Sequence, residues 1–432
     1  MERSLIIKVS AVALPLVLTT LLWGLSKFRG GYNLSSLTFA DAVSQITALY
    51  ATLLMSIGLL ITTRSRVIER IYGGLDRSYR LHLRLGEIAL VLVVVHLLTL
   101  IPAHQLRGLF IPFVDTWPKT FGVLAFWLFM VLGALAVWSK LSYQTWLAFH
   151  AWMGLPFVLA SIHAFQAHSD IQAYEPLRTW MLLWVLLGCG SWAYRTFLYE
   201  RTSVRYEYVA DEIVQRGGGI WDLVLRPTNV RMNYEPGKFA FISVKDNPKI
   251  PSEHHPFSIS SSPVHRELRF SFRACGDYTN LLPTIQKGNK VEIYGPFGDF
   301  TLHQLGMRRR LIWIGGGIGV TPFLSMLAFE ATNNDFRKVW LFYCVKNNAD
   351  AVYHDEIEKC INTADSYIDY VKWASDERGL LTVKAIIDLA GPIDDYAIMM
   401  CAPPMMMRAL RTQLLEAGVP SNRIIFEDFH FR

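Results

Sequence analysis

Two things are scarce in this chain of 432 residues: paired cysteines and, through its first half, charge. The five thiols, Cys189, Cys275, Cys344, Cys360 and Cys401, show no C-x-x-C spacing, which leaves no disulfide framework and suits a reducing compartment. Charge is missing from six runs, Val9–Ser26, Ala42–Thr63, Ile88–Gln105, Thr120–Ser139, Leu141–Ser169 and Thr179–Tyr194. Each is near the ~20 residues a membrane-spanning helix requires. The last is slightly short, with Arg178 and Arg195 at its flanks able to snorkel. A mean hydropathy of +0.26 and 52% hydrophobic residues exclude a wholly soluble protein. No small-residue cleavage site follows the first run, so it is expected to be a retained helix and not a signal peptide.

Basic residues set the expected orientation. Arg64, Arg66, Arg70, Arg77, Arg80 and Arg84 fall between the second and third runs, whereas the next connection carries only Arg107 and Lys119. The arginine-rich loop is therefore expected in the cytoplasm, together with the N-terminus and everything after Tyr199. The net charge of +6 serves this topology and an anionic lipid surface, and gives little reason to invoke nucleic acid.

What is present inside the apolar half is histidine. His82 and His96 are fourteen residues apart, and His150 and His163 thirteen apart. Ionisable groups at membrane depth are costly and mark bound groups, and neutral imidazole is the usual axial ligand of haem iron. A fourteen-residue step rises ~21 Å and returns to within about 40° of the same helix face, so one helix can serve two haems. The thirteen-residue step misses by about 140° on an ideal helix, with Pro156 between the two residues to distort the winding. By depth, His82 pairs with His150 for an inner haem b and His96 with His163 for an outer one. His104, Arg107, Gln166 and His168 lie near the outer face, most simply as solvated loop residues.

After about Arg205 the pattern changes to short alternating segments, Ile220–Leu225, Phe239–Val244, Leu268–Phe272 and Lys290–Tyr294, separated by Gly, Pro and Asn, which predicts a small β-barrel. From Arg310 the rhythm is strand, glycine turn, helix, which predicts a parallel sheet flanked by helices. The expected domains are residues 1–200, 201–306 and 307–432: a six-span α-helical bundle, a small β-barrel and a Rossmann-like α/β nucleotide-binding domain. Gly315, Gly316, Gly317 and Gly319 follow an apolar strand and open a helix, letting backbone amides approach a pyrophosphate.

Companion stretches make this glycine turn specific: His255-Pro256-Phe257-Ser258-Ile259-Ser260-Ser261, Gly276-Asp277-Tyr278-Thr279, Gly295-Pro296-Phe297-Gly298 and Cys401-Ala402-Pro403-Pro404-Met405. Here the chain resembles the ferredoxin–NADP reductase family. With the membrane histidines, residues 40–432 resemble the bacterial NADPH oxidase and ferric reductase flavocytochromes. The resemblance implies that Pro256 and Phe257 form the flavin bed, that Ser258 hydrogen-bonds near N5, and that Ile259 and Ser260 continue the contact through the backbone. It implies Gly276 and Thr279 at a helix N-terminus facing the FAD pyrophosphate, with Arg273 adding charge. Gly316, Gly317, Gly319, Thr321 and Pro322 would bind the nicotinamide dinucleotide, with Cys401 beside its ring. Phe429 would stack on the isoalloxazine, preceded two residues earlier by Glu427, with Phe431 as the rival.

Two departures stand out. The flavin motif opens with His255 where many soluble members carry arginine, and Lys346, at the end of the strand VWLFYCV, would meet a 2′-phosphate without a reinforcing arginine pair. That lysine favours NADPH over NADH. The implied activity carries electrons from NAD(P)H through FAD and two haems to an acceptor across the membrane, oxygen giving superoxide or a ferric chelate. A membrane electron donor to an extracytoplasmic protein partner or quinone is the second reading; the sequence requires no protein partner. A transporter with a regulatory domain would leave the flavin motifs unexplained.

Overall fold

The computed structural model describes residues 2–29, 38–72, 74–101, 109–138, 141, 143–167, 170–306, 308–333, 337–363 and 367–427. It divides into two compact units, Met1–Thr202 and Ser203–Arg432. Among the described residues, six helices of the first unit are long and apolar enough to cross a membrane: Ser10–Phe28, Phe39–Ile61, Arg77–Leu100, Trp117–Val137, Gln144–Gln166 and Glu175–Thr202. We number them as spans one to six. Span three starts well before the apolar run at Ile88. Arg77, Arg80, Arg84 and Glu87 are good helix formers, so the helix Leu75–Leu100 continues through charges that end the hydropathic run. Span two packs along span three and against span six, and span four packs against span five.

Span five is broken. The helices Tyr143–Ala151 and Gly154–Gln166 are joined by a turn at Trp152 and Met153. Backbone N–H groups there reach three residues back, Trp152 to Phe149, Met153 to His150 and Leu155 to Trp152 (3.1, 3.0 and 2.9 Å). Such turns advance about 120° per residue instead of about 100°. The break therefore winds His163 part of the way back toward the face His150 occupies, recovering about 60° of the roughly 140° by which the thirteen-residue step misses. It also leaves a carbonyl over. Pro156 has no N–H and the Leu155 N–H is taken by Trp152, so the Ala151 oxygen accepts from Trp192 Nε1 of span six at 2.7 Å. Gly154 makes room for that indole: a Cβ there would lie 2.1 Å from the ring.

The second unit holds two sheets. Strands β1 (Arg205–Gly217), β2 (Ile220–Pro227), β3 (Phe239–Val244), β4 (His255–Ser258), β5 (Leu268–Arg273) and β6 (Lys290–Phe297) form an antiparallel sheet in the order β4-β3-β6-β1-β2-β5. A bridge from Ile259 to Phe270 joins the two edges, curling the sheet around a core that includes Tyr208, Leu223, Ile242, Phe270 and Ile293. The alternating segments of the sequence are β2, β3, β5 and β6. The long β1 escapes that reading because its apolar positions are interrupted by Asp211 and Glu212 at a bulge.

Strands β7 (Arg310–Gly316), β8 (Lys338–Val345), β9 (Ile368–Ala374), β10 (Ala397–Cys401) and β11 (Ile424–Phe426) form a parallel sheet in the order β11-β10-β7-β8-β9. Both faces are covered, Leu311 and Trp313 packing on one side and Ile312 and Ile314 on the other, as an uninterrupted apolar strand demands. The chain order reverses between β7 and β10, which opens a crevice at their carboxyl ends.

The break in span five makes a prediction. Trp192→Phe keeps the ring and removes the donor, leaving a carbonyl unpaired in an apolar bundle at a cost of about 1–3 kcal/mol. The thermal midpoint of the detergent-solubilised protein should fall, and Gly154→Leu, which has no space for its side chain, should lower it further.

Candidate functional site

In the membrane unit, three imidazoles are fixed by backbone carbonyls. His82 Nδ1 lies 3.0 Å from the Gly58 oxygen, His96 Nδ1 2.9 Å from the Ser44 oxygen and 3.0 Å from the Ser44 hydroxyl, and His163 Nδ1 2.7 Å from the Pro118 oxygen. A carbonyl only accepts, so each Nδ1 carries the proton and each Nε2 presents a lone pair, the state a metal-binding histidine needs. Ser44 and Gly58 are themselves fourteen residues apart on span two, antiparallel to the fourteen-residue step of span three. The fourth imidazole, His150, stacks on Trp146 at 4.8 Å and 11°, and its buried Nδ1 has no protein partner.

The four group as their depths predict. His82 and His150 have ring centroids 5.9 Å apart at 86°, and His96 and His163 neighbour each other. Two imidazoles binding one iron from opposite sides, each about 2 Å from it, stand about 6 Å apart between ring centres. The residues fit haem. Glycine makes the approach possible at the outer pair, since a Cβ on Gly122 would stand 2.9 Å from His163 Nδ1. The sequence reading missed this glycine and the three carbonyls, which become recognisable only once helices are packed in register. Of the outer-face residues, Gln166 is exposed at the end of span five, and His104, Arg107 and His168 lie outside the described residues.

In the second unit, β4 carries His255, Pro256, Phe257 and Ser258 beside β3. The His255 ring stacks on Tyr278 at 3.7 Å and 17°, with Nε2 2.9 Å from Glu253 Oε2. Burial holds this imidazole below the usual histidine range, against the opposing pull of Glu253. Phe257 meets Phe272 edge-on at 5.8 Å. Ser258 is buried opposite Phe239. Ile259 and Ser260 depart from expectation: their amides donate to the Lys238 and Arg269 carbonyls (3.0 and 2.8 Å), because closing the barrel needs those bonds.

Gly276 and Thr279 lie together, but in a turn. The Thr279 hydroxyl accepts from the Cys275 and Gly276 amides (3.1 and 2.9 Å), and only the short 3₁₀ segment Leu282–Thr284 follows, with Pro283 inside it. The expected helix N-terminus is therefore corrected to a hydroxyl-capped turn. Arg273, exposed at the end of β5, turns toward the glycine loop, with Nη2 4.0 Å from the Cβ position of Gly317.

That loop sits at the crevice. Gly316 and Gly319 allow it to touch the end of β10: a Cβ on Gly316 would lie 2.7 Å from Ala402 Cβ, and one on Gly319 2.1 Å from the Cys401 oxygen. Gly317 has φ +56°, a left-handed value suited to glycine. Thr321 and Pro322 open the helix Thr321–Asn333, the Thr321 hydroxyl donating to the Ile318 carbonyl at 2.9 Å. Cys401 is buried and in register with Gly315 across the switch point. Lys346 is exposed just beyond β8, and its carbonyl accepts from the Asp376 amide at 2.9 Å. Asp376 and Glu377 thus share the strand end with Lys346. Glu427 is buried after β11, its amide donating to the Met400 carbonyl at 3.2 Å. Phe429 and Phe431 lie outside the described residues.

An apolar six-helix bundle with paired histidines, followed by a curled barrel and a parallel sheet with a glycine-lined crevice, defines a membrane flavoprotein oxidoreductase. Residues 47–162 match the ferric reductase like transmembrane component, residues 218–299 an FAD-binding domain, and residues 313–412 the oxidoreductase NAD-binding domain. The chain joins a ferric-reductase-like transmembrane domain to FAD- and NAD-binding domains of the ferredoxin–NADP reductase type, which matches the arrangement of the ferric reductase and NADPH oxidase flavocytochromes. It is an NAD(P)H-driven electron-transfer protein.

Relatives match about half of it. Sulfhydrogenase 2 subunit gamma of Pyrococcus furiosus is 26% identical over 207 residues, 44% of this chain and 70% of that protein. The electron transfer subunit of dihydroorotate dehydrogenase B (NAD(+)) from Bacillus cereus is 31% identical over 199 residues, 46% of this chain and 73% of that protein. Flavohemoprotein A of Dictyostelium discoideum is 25% identical over 240 residues, 52% of this chain and 60% of that protein. Among solved structures, flavohemoglobin from Malassezia yamatoensis shares the fold at a TM-score of 0.53 and 17% identity, over 91% of this chain and 99% of that one.

Gly122→Val should push the His163 ring out of place and, if these histidines hold haem, lower the haem content, read by pyridine haemochrome absorbance. Gly133→Ala, on the same helix with no atom within 4 Å of its Cβ position, should leave haem content unchanged.

Proposed function

We propose that this protein transfers electrons across a membrane from cytoplasmic NAD(P)H, via FAD and two haems b, to oxygen on the far side, giving superoxide. A ferric chelate is the alternative small acceptor, and a protein partner or quinone the alternative class. The observation that carries the reading is the His82 and His150 pair at 5.9 Å, with His82 Nδ1 already bonded to a carbonyl and Nε2 left for a metal. When bound, FAD converts a two-electron hydride into single electrons, and haem iron carries one electron at a time.

The chain's own residues supply the rest. His82 with His150, and His96 with His163, would hold one haem each. The barrel, taken as residues 201–306, would place His255, Pro256, Phe257, Ser258, Ile259, Ser260, Gly276 and Thr279 around FAD. The α/β domain, residues 307–432, would present Gly316, Gly317, Gly319, Thr321 and Pro322 to the dinucleotide. Cys401 and Glu427 flank the reacting rings in this reading, with Phe429 stacked on the flavin. The arginine-rich connection between spans two and three supports a cytoplasmic position for both domains and for the N-terminus.

The test is a sealed liposome with the soluble half outside and an impermeant acceptor in the lumen. Reduction of the lumenal acceptor on adding external nicotinamide supports transmembrane transfer. Reduced flavin with both haems present and no lumenal reduction would replace the reading with a same-side reductase. Superoxide dismutase in a cytochrome c assay separates oxygen from the other acceptors.

Against the preference for NADPH that Lys346 alone suggests, we infer that its acidic neighbour favours NADH. Asp376, whose amide bonds the Lys346 carbonyl, is an exposed acidic neighbour of this lysine, so a 2′-phosphate dianion would gain little there, whereas a ribose hydroxyl is tolerated by a carboxylate. NADH should give the higher kcat/KM. Asp376→Asn should raise kcat/KM for NADPH by about fivefold, roughly 1 kcal/mol, with little change for NADH.

A further inference from the structure

Asp222 of β2 is fully buried, 0% exposed, a position where a carboxylate is costly unless it is paired. It has several donors. Oδ1 accepts from the Ser271 hydroxyl at 2.6 Å and the Tyr353 hydroxyl at 2.7 Å, Oδ2 accepts from Arg216 Nε at 2.7 Å, and Arg269 Nη1 stands 3.7 Å from Oδ2. Ser271, Arg216 and Arg269 belong to the barrel. Tyr353 belongs to the α/β domain, directly before the helix His354–Thr363, and is also fully buried. One turn on, Glu356 takes the Arg269 guanidinium through two bonds of 2.9 and 2.6 Å.

This network reaches both stretches assigned to cofactors. On the barrel side, Ser271 Oγ is 2.8 Å from Ser260 Oγ, in the His255–Ser261 stretch. The neighbouring Ser261 carbonyl accepts from the Ser325 hydroxyl at 2.6 Å, and Ser325 lies on the helix opened by the glycine loop. Burial and the adjacent Asp222 charge push the Tyr353 phenol well above its ordinary range, so it keeps its proton and remains a donor. An apolar contact between the two domains would tolerate sliding. A fully satisfied buried polar network does not, because each small slip strands a charge or a hydroxyl in a dry interface.

We infer that Asp222, acting through Tyr353, is a positioning residue for hydride transfer: it locks the barrel to the α/β domain in the alignment that brings nicotinamide against flavin. The inference rests on the NAD(P)H-to-FAD step proposed above. Hydride transfer demands close approach, and a misplacement of about 1 Å can cost about a hundredfold in rate. Asp222 does not touch either ring, so its effect runs through domain alignment alone.

The experiment uses the full-length flavoprotein and the variants Tyr353→Phe and Asp222→Asn. FAD content, thermal midpoint, the limiting rate of flavin reduction in stopped flow, and the long-wavelength charge-transfer absorbance of nicotinamide against flavin are measured together. Tyr353→Phe, the milder change, should keep FAD and fold, lower the limiting rate at least tenfold, leave the half-saturating nicotinamide concentration within about twofold, and weaken the charge-transfer band. Asp222→Asn should do the same more strongly. If Tyr353→Phe lowers only the thermal midpoint, with rate and charge-transfer band unchanged, Asp222 is a structural residue and the inference is overturned. If the unaltered protein shows no flavin reduction by either nicotinamide, the step on which the inference rests is itself removed.

Discussion

An N–H group inside hydrocarbon has no water to bond, so it must find a protein oxygen or bear the full cost of desolvation. In the membrane unit that requirement falls on imidazole. His82, His96 and His163 each point Nδ1 at a backbone carbonyl, and the choice of partner decides which nitrogen keeps the proton and which remains free. The packing of spans two, three, four and five follows from this. Span two must run antiparallel to span three in the one register that sets Gly58 beside His82 and Ser44 beside His96. Span four must offer the Pro118 oxygen and have a glycine at 122, or the His163 ring has no room.

The second unit depends on close approach of backbones in a similar way. The loop after β7 and the end of β10 meet across the point where strand order reverses, and Gly316 and Gly319 keep the contact free of side chains. A helix N-terminus, a buried thiol at Cys401 and the exposed Arg273 then surround one crevice. The triple glycine at Gly217, Gly218 and Gly219 does related work in the β1–β2 turn, where all three residues take positive φ.

Much of this was legible in the residues. The six spans follow from missing charge, the parallel sheet from apolar strands followed by glycine, and the histidine pairing from depth alone. What escaped has a common cause: it depends on partners far away in sequence. The amides of Ile259 and Ser260 close the barrel, which no local pattern reveals. Gly276-Asp277-Tyr278-Thr279 has the composition of a helix start, yet Pro283 and the Thr279 hydroxyl hold it as a turn. Lys346 looked like an isolated strand-end cation because Asp376 reaches it only through the pairing of β8 with β9.

The interruption of span five gives the bundle a joint. An unbroken helix would tie the azimuth and height of His163 to those of His150, so any shift at one site would be transmitted rigidly to the other. With Trp152 and Met153 between two independently wound segments, and Trp192 holding the loose carbonyl, the two ends are mechanically separate. Substitutions near one histidine can then alter its surroundings while the other keeps its own place in the bundle.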